Sequence, residues 1–262
     1  MSNLILIRIQ TFFKFSTLLK ELVVRDIKVR YRKSVLGLLW TVLNPILTML
    51  IIAMVFSNIL RSNISNFPLY VLTGNIIFSF NSEATNQSLM SILSSAQLIK
   101  KVYIPKYLFP LSKVVSSLVN LGFSVVSLLA VMIITRQPFT PTMIIMIVVF
   151  VYIFFFSLGL GTLLSAINIF FRDIWHLYNV FLTLWMYLTP IFYSLDSLSP
   201  EVQQIIRLNP LFHYLNMFRN VVINGVFPTM GEHLVCISLS VSMMLIGFSV
   251  FKKTQDRFIL YI

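Results

Sequence analysis

Residues Arg25–Leu50 read RDIKVRYRKSVLGLLWTVLNPILTML. Five cations fall within the first nine residues, and Lys20 stands just ahead of them. The stretch then turns apolar for the length of a bilayer crossing, and only Asn44-Pro45 interrupts it. The whole chain follows suit, with 58% hydrophobic and 11% charged residues. A soluble domain carries about a quarter charged residues, so this composition belongs in lipid. Cys236 is the one cysteine, which excludes an internal disulfide framework. Arg8 and Lys14 interrupt the apolar residues at the start, and no small-residue cleavage site follows, so a cleavable signal is not expected.

Six stretches reach the roughly 20 residues that a bilayer needs: 36–60, 67–90, 107–134, 142–170, 175–195 and 233–251. The second is unusually polar, with Asn75, Asn81, Glu83, Thr85, Asn86 and Gln87. The expectation is an all-α polytopic membrane protein forming one domain. Residues 1–34 make an interface segment, 35–251 a six-span bundle and 252–262 a tail. With both termini on one side, 16 of the 20 Lys and Arg residues fall there, and Arg61, Arg136, Arg207 and Arg219 fall opposite. The positive-inside rule then makes both termini cytoplasmic. Orientation also accounts for the net charge of +12 without nucleic acid.

The basic block holds more pattern than orientation needs. Leu19, Val23, Ile27 and Tyr31 recur every four residues beside Leu22, with Glu21, Arg25, Lys28 and Arg32 opposite. That spacing predicts an amphipathic helix on the membrane surface, its apolar face in lipid and its charged face free for a cytosolic partner. A second cytosolic stretch, SSAQLIKKVYIPKYLFP (Ser94–Pro110), is longer than a simple turn. No G-x-x-x-x-G-K-[ST] stretch occurs, so ATP phosphates are not cradled by that route.

Pro45 removes a helical hydrogen bond, which predicts a kink near Thr41 with Asn44 re-satisfying the freed carbonyl. Pro190 is expected to bend the fifth span. Between spans five and six, 196–231 is too apolar for a free loop, and its helices are too short to cross. Two short re-entrant helices joined at Asn209-Pro210 are expected. Ser112, Ser116, Asn120 and Ser124, and Ser157, Gly161 and Ser165, read as helix-packing positions.

Four blocks together resemble one family. They are RDIKVRYRKSVLGLLWTVLNP (25–45), NQSLMSILSSAQLIKKVYIPKYLFPLS (86–112), FFRDIWHLYNVFLTLWMYLTPIFYSL (170–195) and IIRLNPLFHYLNMFRNVVING (205–225). In order and extent they resemble the membrane permease of bacterial polysaccharide exporters, ABC transporters of the type-2 exporter class, with O-antigen export as the nearest match. The resemblance implies a homodimeric permease in the inner membrane, bound by two copies of a separate P-loop ATPase. ATP and Mg would sit on that partner, with no cofactor or metal in this chain. The cargo would be an undecaprenyl-type lipid-linked glycan. It implies ATPase contacts at Arg25, Asp26, Lys28, Arg30 and Arg32, and at Gln97, Leu98, Lys100 and Lys101. Arg172-Asp173 is a third candidate contact. It also makes the re-entrant segment an outer gate.

Sugar rings slide over aromatic faces. Trp40, Phe78, Tyr178, Phe181, Trp185, Tyr187 and Tyr193, with Asn81, are therefore the candidate path residues. Teichoic acid or capsular polysaccharide is the alternative cargo. A membrane glycosyltransferase would want paired carboxylates or a metal cluster. The eight acidic residues are scattered, and His176, His213 and His233 show no ligand spacing. A scaffold without transport leaves the polar second span unexplained.

Overall fold

The computed structural model describes residues 14–32, 34–59, 64 and 66–262. Arg8, Lys33, Arg61 and the side chain of Tyr31 lie outside that description. The chain is helical, with no strand among the described residues. The helices are α1 (Ser16–Tyr31), α2 (Leu39–Ile59), α3 (Phe67–Ser94), α4 (Ala96–Lys101), α5 (Leu108–Ile134), α6 (Met146–Phe170), α7 (Ile174–Leu188), α8 (Pro200–Arg207), α9 (Pro210–Arg219) and α10 (Met230–Thr254). A 3-10 turn, Pro141–Ile145, leads into α6, and another, Gln255–Leu260, follows α10.

Four segments are long and apolar enough to cross a membrane: Leu39–Phe56, Leu108–Ile134, Pro141–Phe170 and Met230–Leu260. α3 has the length, at 28 residues, but not the apolarity. Its polar side chains are spent inside the bundle, because α2, α5, α6, α7 and α9 all pack on it. The predicted fifth span is shorter than expected. α7 ends at Leu188 after 15 residues, about 22 Å of helix. Pro190 therefore follows the helix rather than bending it.

The predicted kink residue Pro45 does lie within α2. The expected local repair by Asn44 is absent, since among the described residues the Asn44 side chain makes no hydrogen bond. Ser127 of α5 instead donates to the carbonyl of Val42 at 2.8 Å, one residue from the carbonyl that Pro45 frees.

The tightest helix contact joins α6 to α10. A Cβ built on Gly159 would lie 2.5 Å from the Met243 backbone, and one on Gly247 would overlap the Gly159 carbonyl oxygen. Backbone thus meets backbone where two long helices cross, as small residues allow in a membrane.

α1 departs from expectation. Its apolar face does not lie wholly in lipid. Leu22 is buried in a cluster with Ile92, Ile99, Ile104, Leu108, Phe109 and Phe258. α1 runs along α5, pinned by an ion pair of 2.8 Å between Lys113 and Asp26. Among the described side chains of α1, Val29 is the large apolar one left exposed.

Candidate functional site

Three regions matter: a lysine-rich face, the far end of the bundle, and a polar cavity between them.

At the lysine-rich face the apolar cluster around Leu22 supports every predicted docking stretch. α4 is anchored by Ile99, and Leu98 also packs on the cluster, which turns Gln97, Lys100 and Lys101 outward. Arg25, Lys28 and Arg32 are exposed on α1. Arg30 is exposed as well, whereas Asp26 is half-buried. Asp26 is held by Lys113 and by Arg25 at 3.1 Å, and Arg30 reaches into the bundle. Arg172 and Asp173 are exposed and, among the described residues, form no ion pair with each other; Arg172 donates to the Tyr261 carbonyl at 3.4 Å.

Two contributors escaped the sequence reading. Tyr103 stands almost fully exposed beside Lys101. The segment after α10 folds back under the face. Phe258 is buried, its ring 6.1 Å from that of Phe170, and Lys106 donates to the Gln255 carbonyl at 2.6 Å.

At the opposite end, Asn209 joins α8 to α9 as the sequence predicts, and its side chain does more than cap. Its Oδ1 accepts from the Leu211 N–H at 3.0 Å and from the Trp185 indole at 2.7 Å. Its Nδ2 donates to the Leu188 carbonyl and the Thr189 hydroxyl. One amide thus ties the start of α9 to the end of α7. Pro210 is the first residue of α9, where its missing N–H costs nothing.

Arg219 closes the same region and was overlooked. It is 8% exposed and faces no carboxylate among the described residues. It donates to the carbonyls of Pro190 at 2.8 Å, Tyr70 at 3.0 Å and Ile191 at 3.3 Å, and stacks 3.4 Å over the Tyr70 ring. Gly74 makes room for it, since a Cβ there would meet the guanidinium at 3.0 Å. A lone ionisable residue in an apolar stretch is the signal that would have found it.

The aromatic path candidates divide. Along α7 the rings of Tyr178, Phe181 and Trp185 follow one another at 6.1 and 5.1 Å. Tyr178 donates to the Thr85 hydroxyl at 2.6 Å, and Trp185 is held by Asn209, so both are buried within the chain. Phe78 and Asn81 are buried too, the latter accepting from Ser157. Phe181 at 45%, Tyr187 at 60% and Trp40 at 43% exposure present open faces. Tyr193 donates to the Tyr187 carbonyl at 2.8 Å; burial, and then the neighbouring Tyr70, push its phenol above the usual range.

The cavity, about 510 Å³, lies where α1 ends against the bundle. α2 contributes Trp40, Thr41, Asn44 and Thr48; α3 contributes Asn75, Ser79 and Glu83; α5 contributes Asn120 and Ser124. Glu83 gathers donors as no other side chain here does. Its Oε1 accepts from Arg30 at 2.5 Å, Asn120 at 2.6 Å, Gln87 at 2.9 Å and Ser117 at 3.2 Å. Asn120, read from sequence as a packing position, thus serves a carboxylate. Among the described residues no three His, Cys, Asp or Glu side chains gather as a metal site would require.

The arrangement is that of a helical bundle with four segments long and apolar enough to cross a membrane. The family model of the ABC-2 type transporter matches residues 17–223. An O-antigen export system permease protein, RfbA, of Myxococcus xanthus is 30% identical over 252 residues, covering 95% of this chain and 97% of the relative. The protein of the same name from Klebsiella pneumoniae is 31% identical over 241 residues, covering 89% and 90%. More distantly, the polysialic acid transport protein KpsM of Escherichia coli is 24% identical over 213 residues, covering 79% and 81%. The chain belongs to the ABC-2 type transporter family.

Proposed function

We propose that this chain is the membrane permease of an ABC exporter that carries a lipid-linked polysaccharide, O-antigen, across the inner membrane. Two copies form the conduit, and a separate ATPase supplies the energy, holding ATP and Mg. In this reading α3 and α7 complete a six-span bundle, the lysine-rich face is cytoplasmic with both termini, and α8 and α9 lie at the outer side. The observation that carries the reading is the single apolar cluster beneath α1, α4 and Phe170. It sets Arg25, Lys28, Arg32, Gln97, Lys100 and Lys101 on one platform of the kind an ATPase would press. α2, thinly covered by its own chain, and the open faces of Phe181 and Tyr187 suit a second copy and a sugar chain between the copies. Capsular or teichoic polysaccharide is the second cargo reading, favoured by the likeness to a polysialic acid transport protein.

The test is complementation. Cells lacking their own O-antigen permease receive this chain with a candidate P-loop ATPase from the same genome, and surface glycan and copurified ATPase are measured. Export restored by the parent, and lost together with ATPase binding in Lys100→Glu/Lys101→Glu, is the expected result. Export in the complete absence of the chain would overturn the reading.

A further inference from the structure

The cavity beside Pro45 has a ligand chemistry that the export reading does not use. Charge comes first. Arg30 is its one cation, and Glu83 neutralises it. The walls are otherwise amides, hydroxyls, one indole and the Pro45 ring.

Next is the imbalance of donors and acceptors. Asn120 is buried and spends its Nδ2 on Glu83, which leaves its Oδ1 buried without a donor. The Thr41 carbonyl has lost its helical donor to Pro45. The Asn44 side chain makes no hydrogen bond within the described residues, so its amide is available in both senses. Asn44 and the half-buried Asn75 thus offer the cavity amides that both donate and accept, which suits an occupant that also does both. A phosphate or pyrophosphate at neutral pH brings acceptors almost alone. A hydroxyl-rich ring brings a donor and an acceptor on each hydroxyl. Trp40 adds a half-open aromatic face at the rim, against which the C–H face of such a ring packs. The volume falls within the range of small-molecule sites.

We infer that this cavity is a saccharide-binding chamber that holds an uncharged, hydroxyl-rich stretch of the glycan, with Asn44 and Asn75 as its principal hydrogen-bonding residues and Trp40 as its stacking surface. It is separate from the aromatic face of α7. Because Arg30 belongs to α1 and Glu83 to α3, a chamber filled with sugar also touches the junction between the docking face and the bundle. The inference rests on the export reading, and its test separates the two.

The photoreactive residue p-benzoylphenylalanine is placed at Ser124, on the chamber wall, and in a second variant at Asn44, which makes no bond that the fold needs. Val126, exposed on the same helix and outside the cavity, is the control position. Cells making O-antigen with the full permease and ATPase are irradiated, and surface export is scored in the same cultures. A permease adduct carrying glycan is expected at positions 124 and 44 and not at 126, and Asn75→Leu lowers it several-fold at position 124. Mild acid, which cuts the bond between sugar and phosphate, leaves the glycan on the peptide if sugar filled the chamber. If acid strips the glycan and leaves lipid, the cavity holds the carrier's headgroup region and the inference fails. Active export with no adduct at either chamber position also overturns it. Loss of export by the unmodified chain would count against the export reading instead.

Discussion

Replacing Arg219 separates charge from geometry. The guanidinium holds two carbonyls beyond the end of α7, those of Pro190 and Ile191, and the Tyr70 carbonyl in the first turn of α3. The Tyr70 carbonyl keeps a bond from the Thr73 hydroxyl at 2.8 Å whatever stands at position 219. The other two have no donor besides Arg219 among the described residues, and an orphaned buried acceptor costs about 1–3 kcal/mol. Arg219→Met removes the desolvation of the cation but orphans both carbonyls, so about 3 kcal/mol is lost. Arg219→Lys keeps the charge and reaches fewer of the acceptors. It forfeits the planar stack on Tyr70, and an ammonium is more strongly hydrated than a guanidinium. Lysine should therefore be at least as damaging as methionine. The assay is reversible unfolding of the purified chain in mixed micelles, followed by tryptophan fluorescence, since Trp185 sits against the same region. If both variants unfold within about 0.5 kcal/mol of the parent, a spread typical of surface substitutions, the stapling role is wrong. If lysine alone is tolerated, charge rather than the planar fork is what the site needs.

Other outcomes follow from the same reasoning. Arg30→Met and Glu83→Leu should be non-additive in that unfolding assay, with a coupling of about 1 kcal/mol, because both groups keep about a third of their exposure; additive losses would mean the pair does not form. Gly247→Leu should abolish accumulation of the folded chain in membranes, because its side chain overlaps the Gly159 carbonyl, whereas Gly122→Leu, with open space around it, should accumulate normally. Asn209→Leu breaks the bonds to Trp185, Leu188 and Thr189 at once; it should cost about 2–4 kcal/mol and red-shift Trp185 emission, and an unchanged emission would contradict the hub.

What the sequence revealed, and what it hid, follows from the range of each interaction. Long apolar runs located α2, α5, α6 and α10 to within about four residues at each end, because burial in lipid is written in composition. Asn209-Pro210 was legible as a junction because capping and proline chemistry are local. The end of α7 was misread because Thr189-Pro190-Ile191-Phe192-Tyr193 stays apolar after the helix stops, and hydropathy does not distinguish helix from irregular chain. The grip of Arg30 on Glu83 spans 53 positions and leaves no periodic trace. Neither did Leu22 disclose whether lipid or Phe258 would cover it, since both are equally apolar.

The place of Phe258 in that cluster has a consequence in time. Leu22 emerges from the ribosome first and Phe258 after every helix described here. At about 5–20 residues per second, about 10–50 s of synthesis separate them. Until then Leu22, Ile99 and Leu108 lack part of their cover, and Lys106 lacks the Gln255 carbonyl that it binds in the finished fold. In the proposed docking reading, the cluster beneath α1 and α4 is therefore complete only after Phe258 has joined it.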